Sequence, residues 1–219
     1  GKFKKNNLLK KEGLHTSAFV VGDLVKRFPI YEGLPTVERH RGMNPYIAAI
    51  ELLHEAKVDN VFIGAANTVE TLKYINEYLQ NHIITILCNL LSEYKHLYNK
   101  EINIRPDQPE NIIRLLLPCK PNVGIRHNIV RHRGNIVMQN RLAASYSGEV
   151  YLVKHDLPFE ARSNVIGFVS PEYVNLFDQI DADIRIKLIP INKIVHEKSE
   201  KQHFLVSFVA LKFYLLKVC

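Results

Sequence analysis

Two short apolar runs, each closing on glycine and each feeding a capped helix, constrain this chain more than any other feature of its sequence. Ala18 to Val21 ends in Gly22-Asp23, and Val61 to Ile63 ends in Gly64. Between them Asn44 is placed to cap a helix with Pro45 at its first position, and Ile47, Ala48, Ile50 and Leu53 then share one apolar face. Asn67 followed by Glu70 makes a capping-box pattern ahead of Leu72, Ile75 and Leu79. Strand, helix, strand, helix in that order predicts parallel α/β architecture. Ile83 to Leu90 reads as a further strand and Ile102 to Ile104 as a weaker one. Asp107 to Glu110 reads as the start of a helix carrying Ile112, Ile113, Leu115 and Leu116.

Beyond Pro118 the texture changes. Pro121 and Gly124 mark a connecting stretch, and Ser147 to Val153, Val165 to Val169 and Ile184 to Leu188 then read as short strands, the last alternating with Arg185 and Lys187. Ser170-Pro171 can open one short helix carrying Tyr173 and Phe177. The second half therefore predicts a small, mainly antiparallel β domain. The expected boundaries are 1–118, 119–191 and an atypical tail at 192–219, whose apolar run from Phe204 is shorter than the ~20 residues of a bilayer span. At 219 residues, 47% apolar and 23% charged, the chain can bury a sizeable core.

The function classes narrow by elimination. The three cysteines are too far apart for a zinc spacing or a disulfide framework, which favours a reducing, cytoplasmic setting. Ten histidines show no ligand spacing, and no glycine-rich nucleotide loop is present, so neither a metal nor a cofactor is expected. The net charge of +7 gathers in residues 1–11, 119–133 and 192–219, leaving the remainder acidic. No nucleic-acid motif or interleaved aromatic ladder accompanies these patches, and a small phosphorylated ligand suits them better.

The run Tyr31-Glu32-Gly33-Leu34-Pro35-Thr36-Val37-Glu38-Arg39-His40-Arg41 packs two carboxylates, an imidazole and two guanidinium groups just after a strand ending in Gly-Asp. With the Val61-to-Gly64 strand, Asn103-Ile104-Arg105-Pro106-Asp107, Gly134 to Asn140, Tyr146-Ser147-Gly148-Glu149, Asp156-Leu157-Pro158 and Asn164 to Gly167, it resembles the 6-phospho-N-acetylmuramidases, bacterial proteins once labelled outer surface proteins. That resemblance implies the last strands of a (β/α)8 TIM barrel followed by a cyclophilin-like β domain. It implies hydrolysis between N-acetylmuramic acid 6-phosphate and N-acetylglucosamine, so that the partner is a phosphorylated amino-sugar disaccharide rather than nucleic acid or a membrane; a homo-oligomer is compatible with it. A barrel sector lacking its earlier strands would expose a parallel edge and be poorly soluble.

Glycoside hydrolysis usually needs two carboxyl groups, about 5 Å apart for retention and roughly 6.5 to 9.5 Å for inversion. Barrel enzymes place such groups at the C-terminal ends of strands, which selects Asp23, Glu32 and Glu38. Asp23 and Glu38 are the candidates for acid/base work, and each has a structural alternative: Asp23 as a turn cap, Glu38 as a brace against Arg41. Glu32 is a candidate substrate contact; Arg41, Arg105 and His40 are the first candidates for the phosphate and lactyl groups, and Arg131 either reaches over the barrel mouth to them or belongs to a solvated charged linker. Arg126 and Arg133 belong to the same basic connection as Arg131. Asn140, Tyr146 and Glu149 are further polar contacts or, equally, turn and cross-strand partners. Ala65, Asn135 and Gln139 stand where family members commonly carry acids, so a non-catalytic relative that binds phosphosugars is the alternative.

Overall fold

The computed structural model describes residues 4–191 apart from 27, 29–30 and 119–120, so the expected tail at 192–219 lies outside the described residues. The described residues form two compact units, one running to Asn76 and the other beginning at Glu77.

In the first unit, helix α1 (Lys4–Lys11) precedes strand β1 (Ser17–Val20), helix α2 (Pro45–His54), strand β2 (Asn60–Ile63) and the start of helix α3 (Val69–Asn81). As the sequence predicts, Asn44 caps α2 by accepting from the Tyr46 N–H at 3.0 Å, with Pro45 at the first position. Burial extends around that helix, through Tyr46, Ile47, Ala48, Ala49, Ile50 and Leu52, and Tyr46 meets Tyr74 of α3 edge-on at 5.7 Å. Strands β1 and β2 pair in parallel, Ser17 beside Asn60 through Val20 beside Ile63. Their alternation buries Ala18, Val20, Val61 and Ile63 on one face and stacks Phe19 on Phe62 on the other, ring centroids 5.3 Å apart. The edge of β1 away from β2 is not bare: Thr36 donates its N–H to the Phe19 carbonyl at 2.9 Å and accepts the Phe19 N–H on Oγ1 at 2.7 Å.

The second unit is a closed seven-stranded barrel. Strands β3 (Ile83–Leu90), β4 (Glu101–Ile104), β5 (Ile112–Leu116), β6 (Asn135–Gln139), β7 (Val150–Val153), β8 (Ser163–Val169) and β9 (Arg185–Pro190) run around it in the order β3-β8-β6-β7-β5-β4-β9. All neighbours are antiparallel except β3 and β9, which pair in parallel from Ile83/Arg185 to Cys88/Pro190. Cross-strand partners share a face, so Ile84, Ile86, Ile102, Leu115, Ile136, Leu152, Ile186 and Leu188, all buried, line one continuous interior. Cys88 lies in this wall, and burial pushes its thiol up to about 12, leaving it unreactive. A 3-10 segment, Pro171–Gln179, buries Tyr173 and Phe177 as the sequence predicts.

The closed barrel overturns the expected pairing of a partial TIM barrel with a cyclophilin-like domain. The strands at Ile83–Leu90 and Glu101–Ile104, read from the sequence as parallel barrel strands, join a mainly antiparallel closed wall instead, in which only β3 and β9 pair in parallel, and only β1 and β2 pair in parallel in the first unit. A continuous apolar strand has the same texture in either setting, and periodicity does not name its neighbour. The helix expected from Asp107 is likewise absent. Arg105 donates its N–H to the Arg114 carbonyl at 3.0 Å, while Gln108 accepts the Arg114 N–H at 3.0 Å and donates back to the Arg105 carbonyl. These bonds close a β4–β5 hairpin, for which Pro109 and the β-branched pair Ile112-Ile113 are suited and a helix interior is not.

Candidate functional site

The loop from Tyr31 to Arg41 is anchored on β1 of the first unit. Gly33 has φ +78°, and a Cβ there would overlap the Val21 side chain, so the chain folds down on the strand end where only glycine fits. Gly22 is held as closely against the Ala66 carbonyl, which draws the ends of β1 and β2 together. From this base a 3-10 turn, Glu38–His40, presents its side chains in different directions.

Arg41 organises the exposed side. It holds Glu38 in a two-pronged pair, Nε to Oε1 at 2.5 Å and Nη2 to Oε2 at 2.8 Å. Its Nη1 donates to the Gly33 carbonyl at 2.7 Å and lies 3.9 Å from Glu32. Glu38 remains 76% exposed, and the Arg41 hydrogen bond holds its carboxyl below the ordinary glutamate value. An exposed glutamate is an anion at neutral pH in any case, and the Arg41 bond reinforces that state, which is that of a base or nucleophile.

Asp23 is otherwise engaged. Its Oδ1 accepts the Thr68 N–H at 2.7 Å, and its Oδ2 accepts from the Thr68 and Thr71 hydroxyls, both at 2.8 Å. All three donors sit at the start of α3, so Asp23 ties the end of β1 to that helix as a cap. Asp23→Ala is expected to destabilise the chain by about 1–3 kcal/mol, because it strands three donors. Asp23→Asn, which keeps an acceptor, loses less; denaturant unfolding of the two variants checks the order.

His40 points inward and is wholly buried. Its Nε2 is 3.2 Å from Glu51 Oε1, misaligned for a hydrogen bond, and Arg39 pairs with that same oxygen. Burial, with the Arg39 charge adding to it, pushes the imidazole down to about 4, so it is neutral at pH 7 and lies beneath the loop. The folded value falls below the free histidine value of about 6.5, so the unfolded chain binds the proton more readily. The stability supplied by neutral His40 is then complete above pH 6.5 and is lost progressively as pH falls towards 4. A melting series over that window is expected to show the fall, and His40→Gln to flatten it.

Within the barrel unit two of the expected contacts, Arg105 and Glu149, bind each other. Arg105 pairs with Asp107 at 3.0 Å and with Glu149 at 2.8 Å; Arg114, which the sequence did not single out, pairs with the same two carboxylates. The cluster lies outside the wall, since Arg114 and Glu149 alternate with inward Leu115 and Val150. Arg131 is buried and donates to Tyr151 at 2.8 Å, with Glu160 at 3.0 Å. Asn140 is buried too: its amide reaches Asn164 at 2.9 Å and the Ala161 carbonyl at 2.8 Å, and its oxygen accepts the Leu142 N–H. Tyr146 is exposed. Arg126 pairs with Glu93 at 2.5 Å, and Arg133 bonds the Lys154 carbonyl at 2.7 Å. The Gln139 oxygen, standing where an acid was expected, is buried without a partner.

None of the residues selected from the sequence as site residues lines the barrel's own cleft, a space of about 550 Å³ bounded by the turn Ser92–Leu97, the segment Asn122 to Arg126 and the inward residues Met138 and Val150. Arg126 alone among its charged residues fell in a stretch the sequence marked as basic. Among the described residues no group of three or more His, Cys, Asp or Glu could hold a metal ion, and no helix is long and apolar enough to cross a membrane.

Family models place these two units. The model described as 6-phospho-N-acetylmuramidase, N-terminal, matches residues 2–77, and the one described as 6-phospho-N-acetylmuramidase, C-terminal, matches residues 83–189. The chain belongs to the 6-phospho-N-acetylmuramidase family. Among solved structures, a conserved Enterococcus faecalis protein of unknown function is 28% identical, with a TM-score of 0.76, over 90% of this chain and 56% of its own. An uncharacterised B. cereus protein, 22% identical with a TM-score of 0.68, shares the fold over 84% of this chain and 56% of its own. This 6-phospho-N-acetylmuramidase relative thus spans little more than half the length of either structure. No curated protein matches it.

Proposed function

We propose that the chain serves hydrolysis of the bond between N-acetylmuramic acid 6-phosphate and N-acetylglucosamine in cell-wall sugar recycling, with Glu38 as the reacting carboxylate. One observation carries this reading: Glu38 is exposed on a loop braced by Arg41, whose hydrogen bond lowers the carboxyl's value. As an anion it suits the base or nucleophile of the two-carboxylate scheme. Asp23, held by three donors, is poorly placed to be the other partner. Glu32, exposed on the same loop at 3.9 Å from Arg41, is the better second carboxyl group. Arg41 then acts through Glu38; in the barrel unit, taken by itself, Arg105 is partly exposed and Tyr146 exposed, so both remain open to a polar ligand. His40 lies buried beneath the loop, and Arg131 and Asn140 are buried within the barrel unit, so none of the three is a direct contact in this reading.

Binding of the phosphosugar without turnover is the second reading, and the saturation of Asp23 together with Ala65, Asn135 and Gln139 favours it. Incubation of the chain with the phosphorylated disaccharide separates the two. Release of N-acetylglucosamine supports hydrolysis, calorimetric binding without release supports the second reading, and the absence of both removes them together.

A further inference from the structure

The cleft of the barrel unit lies outside the loop chemistry described so far. Met138 and Val150 are direct cross-strand partners, and Val150 also pairs with Leu115, so all three face the barrel interior. Met138 stands near the end of β6 and Val150 at the start of β7, while Leu117, two residues beyond Leu115, leaves β5 on the same side. The space of about 550 Å³ is therefore the mouth of the barrel, floored by inward apolar side chains and walled by Tyr94 and Leu97 of the Ser92–Leu97 turn. Barrel mouths of this size are recurrent small-molecule sites.

Its charge is one-sided. Arg126 and Glu93 neutralise each other at 2.5 Å. His96 has its Nδ1 3.1 Å from the Glu93 carbonyl. Lys100, exposed at the same rim, has no ion pair among the described residues. An apolar floor beneath one uncompensated ammonium is complementary to a ligand with an apolar body and a single negative charge.

We propose that the barrel mouth binds a small amphiphilic organic anion, its apolar part on Met138, Val150 and Leu117 and its charged group at Lys100. The inference is independent of Glu38 and of any hydrolysis.

Octanoate is a suitable probe, with uncharged octanamide and short acetate as controls, each titrated calorimetrically into the full chain. Octanoate is expected to bind at least tenfold more tightly than either control, because only it supplies both body and charge. Lys100→Glu, at an exposed position, is expected to weaken octanoate at least tenfold with no change in melting temperature. Leu117→Asn, at the half-buried floor, is expected to weaken octanoate by removing apolar surface without adding charge. Equal affinity for octanamide, or octanoate binding untouched by both variants in chains that melt normally, would overturn the proposal.

Discussion

Glu38→Gln is expected to lower the rate of N-acetylglucosamine release from the phosphorylated disaccharide by about 10²-fold or more, the scale on which a positioned acid–base group acts. The substitution keeps the shape of the side chain and removes its charge. Because the Glu38–Arg41 pair is exposed, it adds little to stability, so the variant should melt like the parent and any loss belongs to the chemistry. Affinity for the disaccharide should change far less than the rate. The pH profile supplies a second readout. A base works when deprotonated, so activity falls as pH drops through the Glu38 value, which Arg41 holds below the ordinary range. Removing that hydrogen bond with Arg41→Ala raises the value, and the acidic fall-off should then begin at higher pH. A Gln variant as fast as the parent would exclude Glu38 as the reacting group.

The second large effect concerns stability. Arg131→Leu is expected to destabilise the barrel unit by about 3–5 kcal/mol, the usual result of removing one partner from a buried ionic network. Arg131 is 7% exposed, and its guanidinium is filled from several sides. Nη1 donates to the Tyr151 hydroxyl at 2.8 Å and faces Glu160 at 3.0 Å; Nε and Nη2 both donate to the Pro158 carbonyl, at 3.1 and 2.9 Å. Leucine would leave Pro158 without that partner and Glu160, among the described residues, with only Arg162 as counter-charge. Glu160 keeps 23% exposure, which directs the loss towards the lower end of the range. Guanidinium chloride unfolding measures it. The double variant Arg131→Leu/Glu160→Leu should recover part of the loss by removing the orphaned carboxylate, and a single variant losing under ~1 kcal/mol would show the network to be idle.

What the sequence could reveal depended on how local each cause is. The α2 cap needs only Asn44 and Pro45 in succession, and the turn carrying Tyr173 and Phe177 only Ser170-Pro171. The Glu38–Arg41 brace was open to reading from a three-residue separation within one turn. Strand β5 reads as a helix because Asp107 to Glu110 resembles a helix start, although Gln108 uses its side chain to close a hairpin across to Arg114. Strand β3 reads as a parallel barrel strand but belongs to a mainly antiparallel wall, since a run that is apolar except at Thr85 and Asn89 carries no sign of which strands flank it. The barrel mouth stayed hidden for a related reason. Lys100, Leu117, Arg126 and Met138 meet only once the wall has closed, and no spacing in the sequence anticipates that.

The parallel seam between β3 and β9 has a consequence for how the protein comes into being. The barrel unit's first strand must wait for its last, so a chain emerging from the ribosome holds every other piece of the wall before the residue that seals it is made. Until then the flank of β3 that β9 will cover remains an open, isoleucine-rich template, and contacts so distant along the chain form slowly. The interval between synthesis of β3 and arrival of Pro190 is thus when this protein is most open to capture by chaperones or by another copy of itself.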